Sequence, residues 1–190
     1  KVVYNKGFGF ANYEDKTPIT DTTLFNLCSI SKQFTAMGIM MLAEAGKLRY
    51  DDSLSKYFPS LPYPGITLRM MLHHTSGLPD YMPLIYDHWT DERIATNADD
   101  IAFLAEYQPA LKFSPGEKFE YCNTGYMLLA SVIEKVSSHQ YEDFMRERIF
   151  EPLKMLHTRV CRSDIHAKIP DLAEPYAFDY ADGVFVPTAQ

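Results

Sequence analysis

An apolar segment of helical length runs from Leu27 to Ala45, and the only charged residues within it are Lys32 and Glu44. Hydrophobic side chains fall at nearly every angular position of a helix over this segment. The pattern therefore predicts a helix from about Ser29 to Glu44 that is buried on all sides. The whole chain has 190 residues, of which 46% are hydrophobic, and this is enough for one domain with a sizeable core, or for one domain and a small part of another.

A serine and a lysine lie three residues apart at the start of this helix. Ser29 and Lys32 are therefore expected to project from the same face. A lysine in an apolar helix is costly to bury unless it is paired or has lost its proton. An unprotonated amine within hydrogen-bond reach of a hydroxyl activates it as a nucleophile. The pair thus predicts a catalytic serine, whose own backbone N–H would stabilise an oxyanion at the positive end of the helix dipole.

A second serine–lysine pair with the same spacing, Ser53 and Lys56, has different surroundings. It follows Asp51 and Asp52 and runs into the sequence Tyr-Phe-Pro, which predicts a short, turn-bounded segment on the surface. A motif of this length counts only in its structural setting. We therefore interpret the second pair as a chance match without a catalytic role.

A tyrosine and an asparagine, Tyr121 and Asn123, lie just before or at the start of a strongly periodic segment that predicts a helix over residues 123–137. Residues two apart in an extended segment project to the same side. A tyrosine there can relay a proton, and an asparagine offers both a donor and an acceptor to a substrate amide. Taken alone, Tyr121 also fits a core aromatic residue and Asn123 a helix N-cap.

Charge and hydropathy argue against two classes of protein. The net charge of −7 and the lack of a Lys/Arg cluster argue against a nucleic-acid partner. No apolar run reaches the roughly 18 residues needed to cross a bilayer, so no transmembrane segment is predicted. The sequence also shows no basic leader followed by an apolar core.

The cysteines and histidines do not form a pattern typical of a metal site. Cys28, Cys122 and Cys161 are an odd set without C-x-x-C spacing, which argues against a disulfide framework or a zinc site. We interpret them as buried thiols that act as small hydrophobic residues. His73 and His74 are adjacent, and neighbouring helical residues point apart. Neither a metal nor a cofactor is therefore predicted.

The remaining periodicity predicts a mainly helical region between extended segments at both chain ends, which is an α+β fold. Residues 1–12 are expected to be extended, and Gly46 is expected to end the first helix in a left-handed conformation. The other predicted elements are a helical turn within residues 50–65, a helix ending at Leu72 and capped by Thr67, helices over Asp99–Tyr107, Asn123–Ser137 and Tyr141–Phe150, and strands around Tyr176–Phe178 and Val184–Val186.

Several motifs of this chain together resemble those of the serine β-lactamase and penicillin-binding protein superfamily. The first two are Ser29-Ile-Ser-Lys32, followed by Gln-Phe-Thr-Ala, and Tyr121-Cys-Asn123. The resemblance covers nearly the whole chain, because further motifs match at Gly46–Asp52, Leu72–Leu78, Phe113–Gly116 and Glu151–Leu153. The branch that they resemble contains class C β-lactamases, D,D-carboxypeptidases, D-aminopeptidases and β-lactamase-like esterases.

The resemblance implies a β-lactamase/transpeptidase-like fold, in which a helical region packs on an antiparallel sheet. It assigns residues 1–190 to a single partial domain of this kind. Residues 1–25 and 170–190 would lie on the sheet side, and residues 26–169 would form the mainly helical region. The C-terminal strands of the family fold have no counterpart in this sequence.

For function, the resemblance implies a serine hydrolase that forms an acyl-enzyme on Ser29 with a β-lactam, a D-amino-acid peptide or an ester. Lys32 and Tyr121 would share the role of base, and Asn123 would orient the substrate. His74 would have a structural role in packing its loop. The substrate would be a small molecule or of peptidoglycan type, and the sequence does not select among these classes. The resemblance favours the bacterial periplasm or cell envelope as the location.

One motif of the family is absent. Its members carry Lys-Thr-Gly or His-x-Gly on a strand near the C-terminus, but none of the nine glycines here has Lys or His two residues before it. The chain is therefore expected to be the N-terminal and central part of a longer protein, completed by C-terminal strands or by another chain. The alternative function is a non-catalytic ligand-binding or scaffold domain, inactive because the third motif is absent.

Overall fold

The computed structural model describes residues 2–161 and 169–188, which group into two compact units. One unit contains the chain up to Ser29 and from Val160 onward, and the other contains Ile30–Arg159. The second unit is helical, whereas the first contains a small antiparallel sheet. The predicted α+β fold class is therefore confirmed.

Helices account for all the regular structure of residues 30–159, which the structure describes without a gap. The helices that the periodicity predicted are confirmed, with ends within two residues of those expected, except at the start of the first helix. The α-helices are α1 Lys32–Glu44, α2 Leu54–Tyr57, α3 Leu68–Leu72, α4 Met82–His88, α5 Asn97–Tyr107, α6 Asn123–Ser137 and α7 Tyr141–Met145, and a π-helical turn, Arg146–Phe150, continues α7.

Helix α6 is the centre of the helical unit, since it packs against α1, α3, α5 and α7. Its approach to α1 is close at Gly38, where a Cβ atom would lie 2.8 Å from Cδ1 of Ile133. Burying each Leu or Ile side chain contributes about 1.5–3 kcal/mol. The packing therefore fixes the start of α1 relative to the start of α6. The fully buried side chains of this core include Ile39, Leu68, Met71, Leu104, Leu128, Leu129, Val132, Ile133 and Met145.

The expectation that α1 is buried on all sides is wrong. Ile39 and Leu42 are buried, but Met37 is 45% exposed and Met40 is 50% exposed. The two methionines line a shallow groove together with Tyr50. Within the helical unit α1 packs against α6 and α7, which cover one side of it. The uniformly apolar sequence of α1 therefore predicted more burial than this unit provides.

The start and end of the first helix also refine the prediction. The α-helix begins at Lys32, and Ser29 lies on a preceding 3₁₀ turn, Cys28–Ser31, that runs directly into α1. Cys28 has φ of 45°, which the α-helix does not allow, so the first turn is tighter than expected. The predicted end is confirmed, because Gly46 has φ of 67° and donates its N–H to the carbonyl of Ala43.

The strands of the first unit form one antiparallel pair. Strands β1 Tyr176–Asp179 and β2 Val184–Pro187 pair with Phe178 opposite Phe185, and both lie where the sequence predicted strands. Residues 2–12, the described part of the segment expected to be extended, contain no strand and one isolated antiparallel bridge, from Phe10 to Pro18. Loop hydrogen bonds rather than a ladder hold this segment.

Two further expectations concern burial and the membrane. Cys122 is buried as expected, but Cys28 and Cys161 are exposed, so the interpretation of all three as buried thiols is wrong for two of them. Cys28 lies on the exposed 3₁₀ turn. The hydrophobic character of a cysteine side chain does not by itself predict whether it is buried. Of the helices in the described ranges, none has the length and hydrophobicity required to cross a bilayer.

Candidate active site

The packing of α1 on α6 brings the first residues of the two helices together. Lys32 begins α1 and Asn123 begins α6, and the Lys32 Nζ donates a hydrogen bond to the Asn123 Oδ1 at 3.0 Å. Both side chains are half-buried. The two residues are 91 positions apart in the sequence, so this contact depends on the tertiary structure. It joins two of the predicted site residues directly.

Aromatic rings also surround the amine of Lys32. Its Nζ lies 4.9 Å from the ring centroid of Tyr121 and 5.7 Å from that of Tyr126. Both distances are within the range of cation–π interactions, so the rings help to orient the side chain. Tyr121 is thus the third predicted site residue in this cluster, and Tyr126 is a neighbour that the sequence did not indicate.

The structural alternatives for Tyr121 and Asn123 are wrong. Tyr121 is 47% exposed, so it is not a core aromatic residue. Asn123 is the first residue inside α6, and the N-cap is Cys122, whose φ of −140° is extended. Because Asn123 is not at the capping position, its amide is available for the contact with Lys32.

A loop that follows α3 packs beside this cluster. Gly77 is required there, because its φ is 73° and a Cβ atom would overlap the carbonyl oxygen of Phe113. Three backbone hydrogen bonds fasten the loop to residues 112–120. They run from the N–H groups of Lys112, Gly116 and Glu120 to the carbonyl oxygens of Gly77, Thr75 and His74, at 2.8, 2.8 and 2.9 Å.

This loop places His74 against the candidate site. The imidazole ring stacks on Tyr121 with centroids 4.5 Å apart, and its Nδ1 accepts a hydrogen bond from the backbone N–H of Cys122 at 3.1 Å. Burial, and then the positive charge of Lys32, lowers the pKa of His74 below its ordinary value of 6.5. The sequence predicts only a packing role for His74. The signal that could have identified it was its position within the Leu72–Leu78 motif.

The second serine–lysine pair lies in a different environment. The Lys56 Nζ lies 2.8 Å from the Asp52 Oδ2, and the lysine side chain is 52% exposed. This hydrogen bond to a carboxylate raises the pKa of Lys56 and so stabilises its ammonium form. Ser53 has its own Oγ 3.0 Å from the Oγ of Ser55. The interpretation of this pair as a surface feature is confirmed.

The structure therefore brings Lys32, Tyr121 and Asn123 together and adds His74 to the cluster. Ser29 is exposed and precedes Lys32 by three positions, on the 3₁₀ turn that leads into α1. Within residues 2–161 and 169–188, no group of three or more His, Cys, Asp or Glu side chains could hold a metal ion. An amine and a phenol, the groups of Lys32 and Tyr121 in this cluster, are able to accept and donate protons.

A family model described as Beta-lactamase matches residues 1–169 of the chain. The chain belongs to the beta-lactamase family. The order of the motifs along the sequence agrees with this membership. The match supports the assignment of the chain to a family of serine hydrolases. The same comparison confirms the resemblance that the motifs indicated.

Relatives within and around the beta-lactamase family are longer than this chain. Penicillin-binding protein 4* of Bacillus subtilis (strain 168) is 41% identical over 179 residues, which cover 94% of this chain and 39% of that protein. An octameric penicillin-binding protein homologue from Pyrococcus abyssi is 37% identical, with a TM-score of 0.83 over 98% of this chain and 44% of that one. The D-amino acid amidase from Ochrobactrum anthropi SV3, complexed with L-phenylalanine, is 30% identical, with a TM-score of 0.76 over 92% of this chain and 48% of that one. The chain thus spans between about two fifths and one half of these relatives.

Proposed function

We propose that this chain carries the nucleophile and the proton-transfer groups of a serine hydrolase that acts through an acyl-enzyme. Ser29 is the nucleophile, Lys32 and Tyr121 transfer protons, and Asn123 orients the substrate. The observation that carries the proposal is the 3.0 Å hydrogen bond from the Lys32 Nζ to the Asn123 Oδ1, beside the ring of Tyr121. Three residues predicted from two separate motifs meet there at the start of two packed helices.

The chemistry proceeds in two half-reactions. The Lys32 amine accepts the hydroxyl proton of Ser29 while the serine oxygen attacks the carbonyl carbon of the substrate. The bond from that carbon to the leaving nitrogen or oxygen breaks, and the Tyr121 hydroxyl passes the proton on to the leaving atom. Water then attacks the ester on Ser29, releases the acid and returns a proton to the serine. Each group ends in its starting state.

Ser29 suits this role through its position along the chain. It lies three residues before Lys32 on a helical segment that is continuous from the 3₁₀ turn into α1. Side chains three apart on such a segment project to the same side. The amide of Asn123 has a donor as well as the oxygen that binds Lys32, and this donor suits the carbonyl of a substrate acyl group.

We infer three candidate substrate classes, namely β-lactams, D-amino-acid amides or peptides, and short esters. The relatives include penicillin-binding proteins and a D-amino acid amidase, and these two descriptions support the first two classes. The three classes share acylation of a serine at a carbonyl carbon. A location in the bacterial cell envelope, where peptidoglycan-type substrates occur, belongs to the same proposal.

Covalent labelling tests the proposal in the protein made from the complete reading frame that contains this chain. A fluorescent penicillin and a fluorophosphonate probe are expected to label the wild-type protein. Ser29→Ala should abolish labelling by both probes, because it removes the attacking oxygen. Ser53→Ala is the matched control, since Ser53 belongs to the surface pair with the same spacing.

Two outcomes would contradict the proposal. The first is a well-folded wild-type protein that neither probe labels. The second is labelling that persists in Ser29→Ala. Binding of the penicillin without a covalent bond would favour the alternative, a non-catalytic ligand-binding domain of the same fold.

A further inference from the structure

The imidazole of His74 contacts both aromatic rings that flank the amine of Lys32. It stacks on Tyr121 with an interplanar angle of 30°, and its centroid lies 5.0 Å from that of Tyr126. A third ring, that of Phe119, meets it edge-on at 5.9 Å. Aromatic pairs at these distances contribute about 0.5–1.5 kcal/mol each beyond the area that they bury. Movement of His74 would therefore displace Tyr121.

The same imidazole also holds the backbone between Tyr121 and Asn123. The backbone N–H of Cys122 donates to the His74 Nδ1 at 3.1 Å. A nitrogen that accepts a hydrogen bond has no proton, so the proton of the neutral ring lies on Nε2. Burial and the charge of Lys32 both favour this neutral form, because they lower the pKa of His74.

The backbone of His74 fixes the ring in this orientation. Its φ is 57°, a left-handed conformation that non-glycine residues adopt uncommonly. Its carbonyl oxygen accepts a hydrogen bond from the backbone N–H of Glu120 at 2.9 Å. The carboxylate of Glu120 binds the Lys112 Nζ instead of the ring. Hydrogen bonds therefore hold His74 through both its backbone carbonyl and its imidazole ring.

We propose that His74 is a positioning residue that aligns Tyr121 and Asn123 on the amine of Lys32. Its ring sets the plane of the Tyr121 phenol, and its Nδ1 anchors the Cys122 N–H that separates the two site residues. His74 touches neither the substrate nor the reacting atoms in this role. The proposal rests on the proposed function, since positioning has consequences for catalysis only if Ser29 is acylated.

Protonation of His74 is expected to disturb the site. A proton on Nδ1 would displace the Cys122 N–H and would place a positive charge near the Lys32 side chain. Besides Lys32, the phenol rings of Tyr121 and Tyr126 face the imidazole, and Cys122 binds it through its backbone N–H. Burial raises the pKa of both Tyr126 and Cys122, so these two stay neutral below pH 8. Acylation should therefore decline on the acidic side, at pH values below about 6.5.

Two substitutions separate the contributions of the acceptor and the ring. His74→Asn keeps an acceptor oxygen near the place of Nδ1 and suits the left-handed backbone, but it lacks the ring and does not titrate. His74→Phe keeps an aromatic ring but has no acceptor. His73→Asn is the matched control, because His73 is exposed and lies at the C-cap of α3.

The readout is acylation by fluorescent penicillin in the complete protein, measured between about pH 5 and pH 8. His74→Phe is expected to lower the acylation rate constant about 10- to 100-fold, with a much smaller change in half-saturating penicillin concentration. His74→Asn should retain more activity than His74→Phe and should lose the part of the acidic decline that His74 causes. His73→Asn should match the wild type.

Several results would overturn the positioning role. One is that both His74 variants keep the rate constant and pH profile of the wild type. Another is that His73→Asn lowers the acylation rate constant as much as the His74 variants do. A lower melting temperature with an unchanged acylation rate would assign His74 a purely structural role.

A second measurement is independent of activity. Nitrogen-15 NMR of histidine-labelled protein should show one ring, absent in His74→Asn, that has its proton on Nε2 at neutral pH. A charged ring, or a proton on Nδ1, would refute the proposed geometry. Failure of the wild type to be acylated would instead refute the proposed function, and the positioning role with it.

Discussion

At the scale of single residues, the two lysines with the same spacing from a serine have opposite surroundings. Lys56 binds a carboxylate on the surface, and this contact raises its pKa. Lys32 donates to a neutral amide and faces two aromatic rings in a half-buried position. A neutral acceptor stabilises an ammonium less than a carboxylate does. In the proposed mechanism, the residue at position 123 is therefore the direct hydrogen-bond partner through which the base role of Lys32 can be tested.

Changing Asn123 provides this test. Asn123→Asp would place a carboxylate 3.0 Å from the Lys32 amine, and the resulting ion pair would favour the ammonium. We expect the acylation rate at neutral pH to fall by about 10²-fold and to recover partly at alkaline pH. Asn123→Ala removes the acceptor without adding a charge. Its acylation rate should also fall, but this rate should not recover at alkaline pH. Identical pH profiles for the two variants would contradict the account.

Removing only the hydroxyl of Tyr121 tests its role in proton transfer. Tyr121→Phe keeps the ring that stacks on His74 and faces Lys32. Acylation by penicillin should slow by about 10²-fold, because a group that relays a proton typically contributes this much. The melting temperature should change little, since the side chain is 47% exposed. Stopped-flow fluorescence measures the first quantity and calorimetry the second, and an unchanged acylation rate would remove Tyr121 from the mechanism.

The sequence indicated which side chains meet around Lys32 better than it indicated their surroundings. Ser-x-x-Lys and Tyr-x-Asn are local patterns, so the residues that they contain could be named from the sequence. The assignment of Asn123 as a helix N-cap failed because the cap lies one residue earlier, at Cys122. The contact of His74 with Tyr121 joins residues 47 positions apart, and only the packed loop reveals it.

At the scale of secondary-structure elements, the loop that carries His74 depends on Gly77. Gly77→Ala is expected to destabilise the protein by roughly 2–4 kcal/mol, because it adds a steric overlap with Phe113 to the strain of a left-handed residue. Gly65→Ala is the control, since Gly65 has φ of 81° but an added Cβ would meet no atom within 4 Å. It should cost only about 1–2 kcal/mol. Equal losses in urea unfolding would show that the contact with Phe113 is unimportant.

Helix α6 shows what periodicity can predict, and α1 shows its limit. The ends of α6 were predicted correctly because its apolar residues repeat with helical spacing and are buried in the core. The exposed side of α1 could not be predicted, since Met37 and Met40 are as hydrophobic as the buried residues of the same helix. Hydrophobicity indicates a tendency to be buried, but the neighbouring elements decide which face is covered.

At the scale of the whole molecule, one buried carboxyl group makes stability depend on pH. Asp100 in α5 is 6% exposed, and its Oδ1 finds no hydrogen-bond donor within the described ranges. Burial, and then the charge of Asp99, raises the pKa of Asp100 from 3.8 to about 6. The folded state therefore holds a proton that the unfolded state releases at lower pH, so Asp100 costs stability as the pH rises from about 4 to above 6.

Substitution of Asp100 tests this dependence. Asp100→Asn should stabilise the protein by about 1–2 kcal/mol above pH 7, and the gain should disappear near pH 4. Asp99→Asn is the matched control with the opposite sign, because Asp99 binds Arg93 and caps α5 through Thr96. It should destabilise the protein by about 1 kcal/mol at neutral pH. Unfolding followed by circular dichroism at several pH values measures both, and a pH-independent effect of Asp100→Asn would contradict the prediction.

The part of the chain that matches the family model contains the candidate site. The family model covers residues 1–169, which include every residue of the proposed site. The relatives extend to about twice this length or more, so the proposed activity refers to the complete protein. The cluster around Lys32 lies inside the helical unit, and its geometry follows from the packing of α1 on α6.

The central claim is that the Lys32 amine activates Ser29, and the most direct test compares the two lysines. The measurement is the rate of penicillin acylation, with the modified residue identified by peptide mass spectrometry in the complete protein. Lys32→Met should slow acylation of Ser29 by at least about 10²-fold, whereas Lys56→Met should leave the rate unchanged. Equal rates in the two variants, or an adduct on a serine other than Ser29, would contradict the account.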